Sequence, residues 1–201
     1  QEYDPAKGKI RLPDQTEVRD PIFSLDDMVE KQIDVKVSSI HGDMNLDNII
    51  VRHHERSLEP TNIHLIDFAR AHKDHALQDL IHLEVNVWLH LYSTGLDVSD
   101  KLSDLPATFR SLQPGEPGEN MGQTNHQNYL ILTLIRGAAK KYLANENWDE
   151  YFLGLSISLL GCLKYKSLSE APNNPLPKKV AIYLAAMALD TCTFSSSWRK
   201  Q

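Results

Sequence analysis

The hydrophobic period of this chain changes once, at Asp67, and that change fixes the order of its elements. Before it the apolar residues come in short groups. Val35 and Val37 alternate toward Ile40, Ile49-Ile50-Val51 is a β-branched triplet, and Ile63–Ile66 is a second apolar run. These read as short strands, with the charged stretch Arg52–Asn62 as a hairpin-like connection between the last two. After Asp67 the period is helical. Leu77, Leu80, Ile81, Trp88 and Leu91 share a stripe, while Leu83, Val85 and Val87 fill other faces, so this helix is expected to be buried nearly all round. Asp79 and Glu84 sit inside it, and each needs a partner to offset its desolvation. Three more helical patterns follow at Gln127–Ala144, Trp148–Glu170 and Pro177–Thr193, the last with Pro177 in its first turn.

The fold class expected is therefore α+β, mainly α: a small β element followed by helices. Residues 1–34, with Pro5, Pro13 and Pro21 and little periodicity, read as an entry segment or linker. Within them Asp26–Gln32 suggests a short helix, with Ser24 as its cap. Residues 35–201 read as the folded lobe. The stretch 94–124, rich in Gly and Pro, is expected to be a lid, a binding loop or disorder. Glu116 and Glu119 within it read as solvated. The chain starts Gln1-Glu2-Tyr3 rather than with Met, which suggests a piece of something longer.

Charge excludes some functions. Twenty-one Lys and Arg against 27 Asp and Glu give a net charge of −6, which argues against a nucleic-acid partner. The most apolar runs, Tyr151–Leu163 and Val180–Leu189, are 13 and 10 residues long. A transmembrane helix needs about 20, so no membrane span is expected. Cys162 and Cys192, the only cysteines, lie in apolar helical patterns and read as buried free thiols of a cytoplasmic protein.

The chemistry lies in Ile40-His41-Gly42-Asp43-Met44-Asn45-Leu46-Asp47-Asn48-Ile49, followed by Ile63-His64-Leu65-Ile66-Asp67-Phe68-Ala69. One strand delivers a loop holding Asp43 and, five positions on, Asn48; a later strand ends in Asp67. Phosphoryl transfer needs a carboxylate to orient the attacking hydroxyl and take its proton, and oxygen ligands for the metal that neutralises the phosphates. Mg²⁺ is hard and keeps several waters, so one or two protein oxygens suffice. Asp43 as base, with Asn48 and Asp67 as metal ligands, meets that need. Asp47 reads as a turn residue facing solvent.

This segment resembles the catalytic and metal-binding loops of the aminoglycoside phosphotransferase and choline kinase families, relatives of the protein kinases. The resemblance implies the carboxy-terminal lobe of a protein-kinase-like fold, Mg²⁺, and ATP as co-substrate. It also implies that Asp79, in a helix following the metal loop, ties down the catalytic loop together with His41. Gly42 stands where protein kinases have Arg, Asn45 where small-molecule relatives often have His, and Ala69 where many have Gly. Asn45 and the Leu-Asp-Asn continuation are similar to kinase-like ternary complex associated domains of bacterial conflict and signalling systems.

A kinase-like fold also needs an amino-terminal lobe over the nucleotide, of about 65 residues by ordinary element lengths. Only 40 residues precede His41, none of their lysines lies in an apolar strand pattern, and Lys7-Gly8-Lys9 is no phosphate loop. Two functions follow. One is the catalytic lobe of an ATP- and Mg²⁺-dependent phosphotransferase acting on a small-molecule hydroxyl, with the acidic balance weakly favouring a cationic acceptor such as an amino sugar or choline. The other is a non-catalytic adaptor or regulatory domain whose partner is a protein. The nine histidines show no His-Glu-x-x-His pattern and read as surface or capped residues, except His41. Trp148, Tyr151 and Phe152 read as core.

Overall fold

The computed structural model describes residues 3–4, 8–54, 57–93, 98–113, 126–165 and 176–194. Three small antiparallel sheets lead into a packed set of helices, a mixed α+β fold that is mainly helical. The first sheet joins β1 (Tyr3–Asp4), β2 (Lys9–Arg11) and β3 (Glu17–Arg19). Helix α1 (Leu25–Glu30) follows, then β4 (Val37–Ile40), β5 (Ile49–His54), β6 (Ser57–Leu65) and β7 (His72–His75). β4 pairs with β7 and β5 with β6, in registers that set Ile40 opposite His72 and Ile49 opposite Leu65. The helices are α2 (Gln78–Asn86), which continues as a π-helix over Val87–Tyr92, then α3 (Val98–Ser111), α4 (His126–Ala139), α5 (Asp149–Cys162) and α6 (Leu176–Thr191).

The described residues before position 35 form three short strands and a helix. Ile10, Leu12, Val18 and Met28 are buried in the same core as the helices. Single apolar residues flanked by charges gave no period to detect, because each strand spans only two or three residues. Ser24 precedes α1 but does not cap it; its Oγ donates to the carbonyl of Asp20 instead, at 2.9 Å.

The stretch 94–124 is corrected in part. Val98–Ser111 is a helix, and its buried Leu105 and Phe109, with Leu112 just after it, face the core. Pro106 lies inside it and has no N–H to give the carbonyl one turn back, a loss of about 3 kcal/mol in an isolated helix. The buried stripe outweighs that loss. Glu116 and Glu119 lie outside the described residues.

The core centres on α5 and α6, which pack against each other, with α2 against α5. α6 is buried from Val180 to Leu189 except at Ile182, where the side chain is partly covered. The Leu153-Leu155-Ile157-Leu159 alternation falls within helix α5, and Ser156 in its middle donates to the carbonyl of Ala185 on α6 at 2.9 Å. Trp148, Tyr151 and Phe152 form edge-on and tilted ring pairs with centroids 5.4 to 5.9 Å apart, inside this core.

Glu84 finds its partner here. Its fully buried carboxylate accepts from Arg136 Nη2 at 2.7 Å, Arg136 Nε at 3.1 Å, Tyr151 Oη at 2.5 Å and Trp88 Nε1 at 3.2 Å. Arg136 also donates to the carbonyl of Leu112 and lies over the rings of Phe109 and Phe152. Burial works to lower the pKa of Arg136, and the Glu84 charge overrides it, so the guanidinium stays protonated. Burial and the Glu84 charge both push the Tyr151 phenol upward, keeping it a donor.

Candidate functional site

The loop after β4 is held from below by one carboxylate. Asp79, on α2, accepts the His41 amide hydrogen on Oδ2 at 2.6 Å and the Gly42 amide hydrogen on Oδ1 at 3.0 Å. Gly42 has φ of 79°, and a Cβ there would meet the Arg70 carbonyl oxygen at 2.3 Å. Only glycine satisfies both conditions. The His41 ring is buried, bonds through Nε2 to the carbonyl of Ile66 at 2.7 Å and packs on Phe68 with centroids 4.6 Å apart. A carbonyl accepts, so Nε2 carries the hydrogen; the buried Nδ1 has no hydrogen-bond partner among the described residues.

Asparagines shape the rest of the loop. Asn45 Oδ1 accepts from the amides of Asp47 and Asn48 and caps the 3₁₀ turn Leu46–Asn48. Asn48 is buried and donates from Nδ2 to the Asp43 carbonyl at 2.8 Å, with Asn45 Nδ2 on the same carbonyl at 3.2 Å. The Asn48 carbonyl in turn accepts from the Ile66 amide at 3.1 Å. Both ends of the loop 41–48 are therefore bonded to one residue, Ile66, at the start of the segment 66–70.

Asp43 and Asp67 project from these two segments. The Asp43 carboxylate is partly exposed and has Arg70 Nε 3.9 Å away. Asp67 is exposed and adopts φ 61°, ψ 60°, a left-handed backbone that Asp tolerates better than most residues and that is frequent at functional sites. Its side chain does not cap the 3₁₀ turn Phe68–Arg70 that follows. Ala69 lies within that turn and is not among the residues with positive φ, so no glycine is required there.

A cleft of about 690 Å³ opens beside Asp43. The loop residues Asp43, Met44, Asn45 and Asp47 form one side, with Arg70 beside them. The far walls come from α2 with its π-helical extension, through His82, Asn86, Leu89 and His90, and from the end of α5, through Cys162, Lys164 and Tyr165. Neither Asn48 nor Asp67 lines it. Burial lowers the pKa of His82, while the carboxylates of Asp79 and Asp43 pull weakly the other way, so the ring is neutral near pH 7. Burial raises the pKa of the Cys162 thiol, which makes it a poor nucleophile.

Sequence reasoning missed Arg70, His82, Asn86 and Lys164. His82 reads, with the other histidines, as a surface or capped residue, and its four-residue spacing from Asn86 is the signal that one helical face is polar. Among the other described histidines, His72 bonds to the Arg70 carbonyl and Asp74, and His75 lies 3.4 Å from Glu150. Among the described residues, no group of three or more His, Cys, Asp or Glu side chains is arranged to hold a metal ion.

With that geometry in view, the chain can be classed. It is an α+β protein whose polar loops hang between a strand pair and a buried helix, beside an open cleft. It belongs to the ternary complex associated domain 9 family, whose model matches residues 2–164. Neither a curated protein nor a solved structure matches the chain. Among the described residues, no helix is long and apolar enough to cross a membrane.

Proposed function

We propose that this chain is the catalytic lobe of a kinase-like, ATP- and Mg²⁺-dependent phosphotransferase acting on a small-molecule hydroxyl. The observation that carries the reading is a pair of hydrogen bonds between loops: Ile66 accepts from His41 through its carbonyl and donates to the Asn48 carbonyl through its amide. That holds Asp43, Asn48 and Asp67 on two adjoining segments, the arrangement the chemistry requires.

The donor set fits the metal. Asn48 spends its Nδ2 on the Asp43 carbonyl, which leaves its amide oxygen for a hard cation. Asp67 offers an exposed carboxylate on a backbone conformation that few residues adopt. One carboxylate and one amide oxygen suit Mg²⁺, which fills its shell with water and phosphate oxygens and would neutralise phosphate charge there. Asp43 orients the acceptor hydroxyl from the edge of the cleft and takes its proton. A bond then forms between that oxygen and the γ-phosphorus, the bond from the γ-phosphorus to the β–γ bridging oxygen breaks, and ADP leaves.

Before β4 the described residues form strands of two or three residues and one six-residue helix. The nucleotide cover in this reading comes from a lobe outside this chain. The test is Mg²⁺-dependent ATP turnover by the full-length protein. Loss of at least about a hundredfold in kcat with Asp43→Ala and with Asp67→Ala supports the reading. Turnover that survives both, or a full-length protein with no turnover, contradicts it and favours an adaptor that binds a protein partner.

A further inference from the structure

We propose that the cleft beside Asp43 binds an uncharged polyol, a small molecule rich in hydroxyls with no net charge, as the phosphate acceptor. The proposal rests on the phosphotransferase reading and names the substrate class of the same site.

Geometry comes first. The cleft begins at the carboxylate that would take the acceptor proton and runs along α2 and its π-helical continuation, past His82, Asn86 and Leu89. Its volume of about 690 Å³ suits a small molecule rather than a protein segment. His82 and Asn86 are four residues apart and face it together. Asn86 Nδ2 donates to the His82 carbonyl at 3.0 Å, which fixes the amide plane before any ligand arrives. The widened turn Val87–Tyr92 directly after Asn86 is of a kind concentrated at functional sites, and it brings both Leu89 and His90 to the wall.

The recognition chemistry is that of hydroxyls. An amide carries donors and an acceptor side by side, and a neutral imidazole carries one of each. A hydroxyl is both donor and acceptor, so it satisfies either group; an ammonium or a carboxylate satisfies only half of it. Burial keeps His82 in the neutral form that this pairing needs.

Charge gives the same answer. The two lining carboxylates, Asp43 and Asp47, are balanced by two lining cations, Arg70 and Lys164, and Arg70 already stands 3.9 Å from Asp43. A site for a cationic acceptor would show an excess of carboxylates, and a site for an anion an excess of cations. Met44, Val85 and Leu89 supply apolar wall for the C–H faces of a polyol.

The test uses three probes with one carbon skeleton: sorbitol, its amine glucamine and its acid gluconate. Each is titrated into the isotope-labelled 201-residue chain without nucleotide, at about 0.15 M salt, with the His82 and Asn86 side-chain resonances followed by NMR. Sorbitol is expected to shift both and to bind at least threefold more tightly than either charged probe. Asn86→Leu should weaken sorbitol about five- to tenfold, the loss of one or two neutral hydrogen bonds. Asn86→Asp adds a carboxylate and should turn the preference toward glucamine, a change that a purely structural role would not produce. Tighter binding of glucamine or gluconate by the unmodified chain, or no shift with any probe, overturns the proposal. Polyol binding in a protein with no ATP turnover strikes the phosphotransferase reading alone. Turnover with a charged preference strikes this inference alone.

Discussion

The carboxylate of Asp79 and the amide of His41 lie 2.6 Å apart across 38 residues of sequence, and the same carboxylate holds Gly42. A hydrogen bond to a charged group contributes about 1.5–3 kcal/mol, roughly twice a neutral one. Asp79→Asn keeps the shape but removes the charge and turns a donor toward one amide. It should destabilise the chain by about 2 kcal/mol in urea unfolding and increase hydrogen exchange at His41 and Gly42 while leaving α6 protected.

Gly42→Ala should be costly for a separate reason. Its φ of 79° adds about 1–2 kcal/mol for an L-residue, and the new methyl meets the Arg70 carbonyl at 2.3 Å. Segment 66–70 must then move away from the loop. The shift is expected in the amide resonances of Ile66 to Arg70. Ala69→Gly should bring no gain, because Ala69 has no positive φ to relieve.

Arg136→Leu should be among the most damaging single changes. It leaves the Glu84 carboxylate buried without its counter-charge, a loss of about 3–5 kcal/mol. The double change Glu84→Leu with Arg136→Leu should recover most of that in chemical unfolding. Recovery would show that the cost is the unpaired charge rather than lost contact.

Two histidines should titrate in opposite directions from their ordinary value. The Arg70 carbonyl and then Asp74 stabilise the charged form of His72 and raise its pKa; burial lowers that of His82. His72 therefore adds stability that is fully present below about pH 6.5 and is lost as pH rises through its raised pKa. The neutral form of His82 adds stability that is present above about pH 6.5 and is lost as pH falls through its lowered pKa. Ring-proton NMR shifts followed from pH 5 to 8 separate the two, and His72→Gln and His82→Gln assign them.

Much of the fold was legible because the signals were local. Ile49-Ile50-Val51 and Ile63-His64-Leu65 pair in the hairpin, and the apolar period finds α2, α4, α5 and α6, although α4 ends at Ala139 and α5 at Cys162, short of the patterns that run to Ala144 and Glu170. The misses all depend on distant chain. Nothing near Glu84 announces Arg136, 52 residues away. Pro106 argues against a helix until Leu105 and Phe109 are seen to be buried. Ser24 had the right residue type for a cap, but its hydroxyl is drawn to Asp20. In the site, the residue types and spacing of Asp43, Asn48 and Asp67 could be read directly. Their attachment through Ile66 could not, because backbone bonds leave no mark on residue identity. The same holds for the polar wall of the cleft, where the significance of His82 and Asn86 depends on which way α2 is turned.

The most direct test of the divalent-ion site uses Mn²⁺ with ATP, added to the ¹⁵N-labelled full-length protein. Paramagnetic broadening falls steeply with distance from the ion, so the first amides to fade locate it. The account predicts that Asp43, Asn48 and Asp67 fade first, and that Asp67→Ala abolishes the effect without unfolding the protein. Broadening centred on another part of the chain, or unchanged by that substitution, would contradict it.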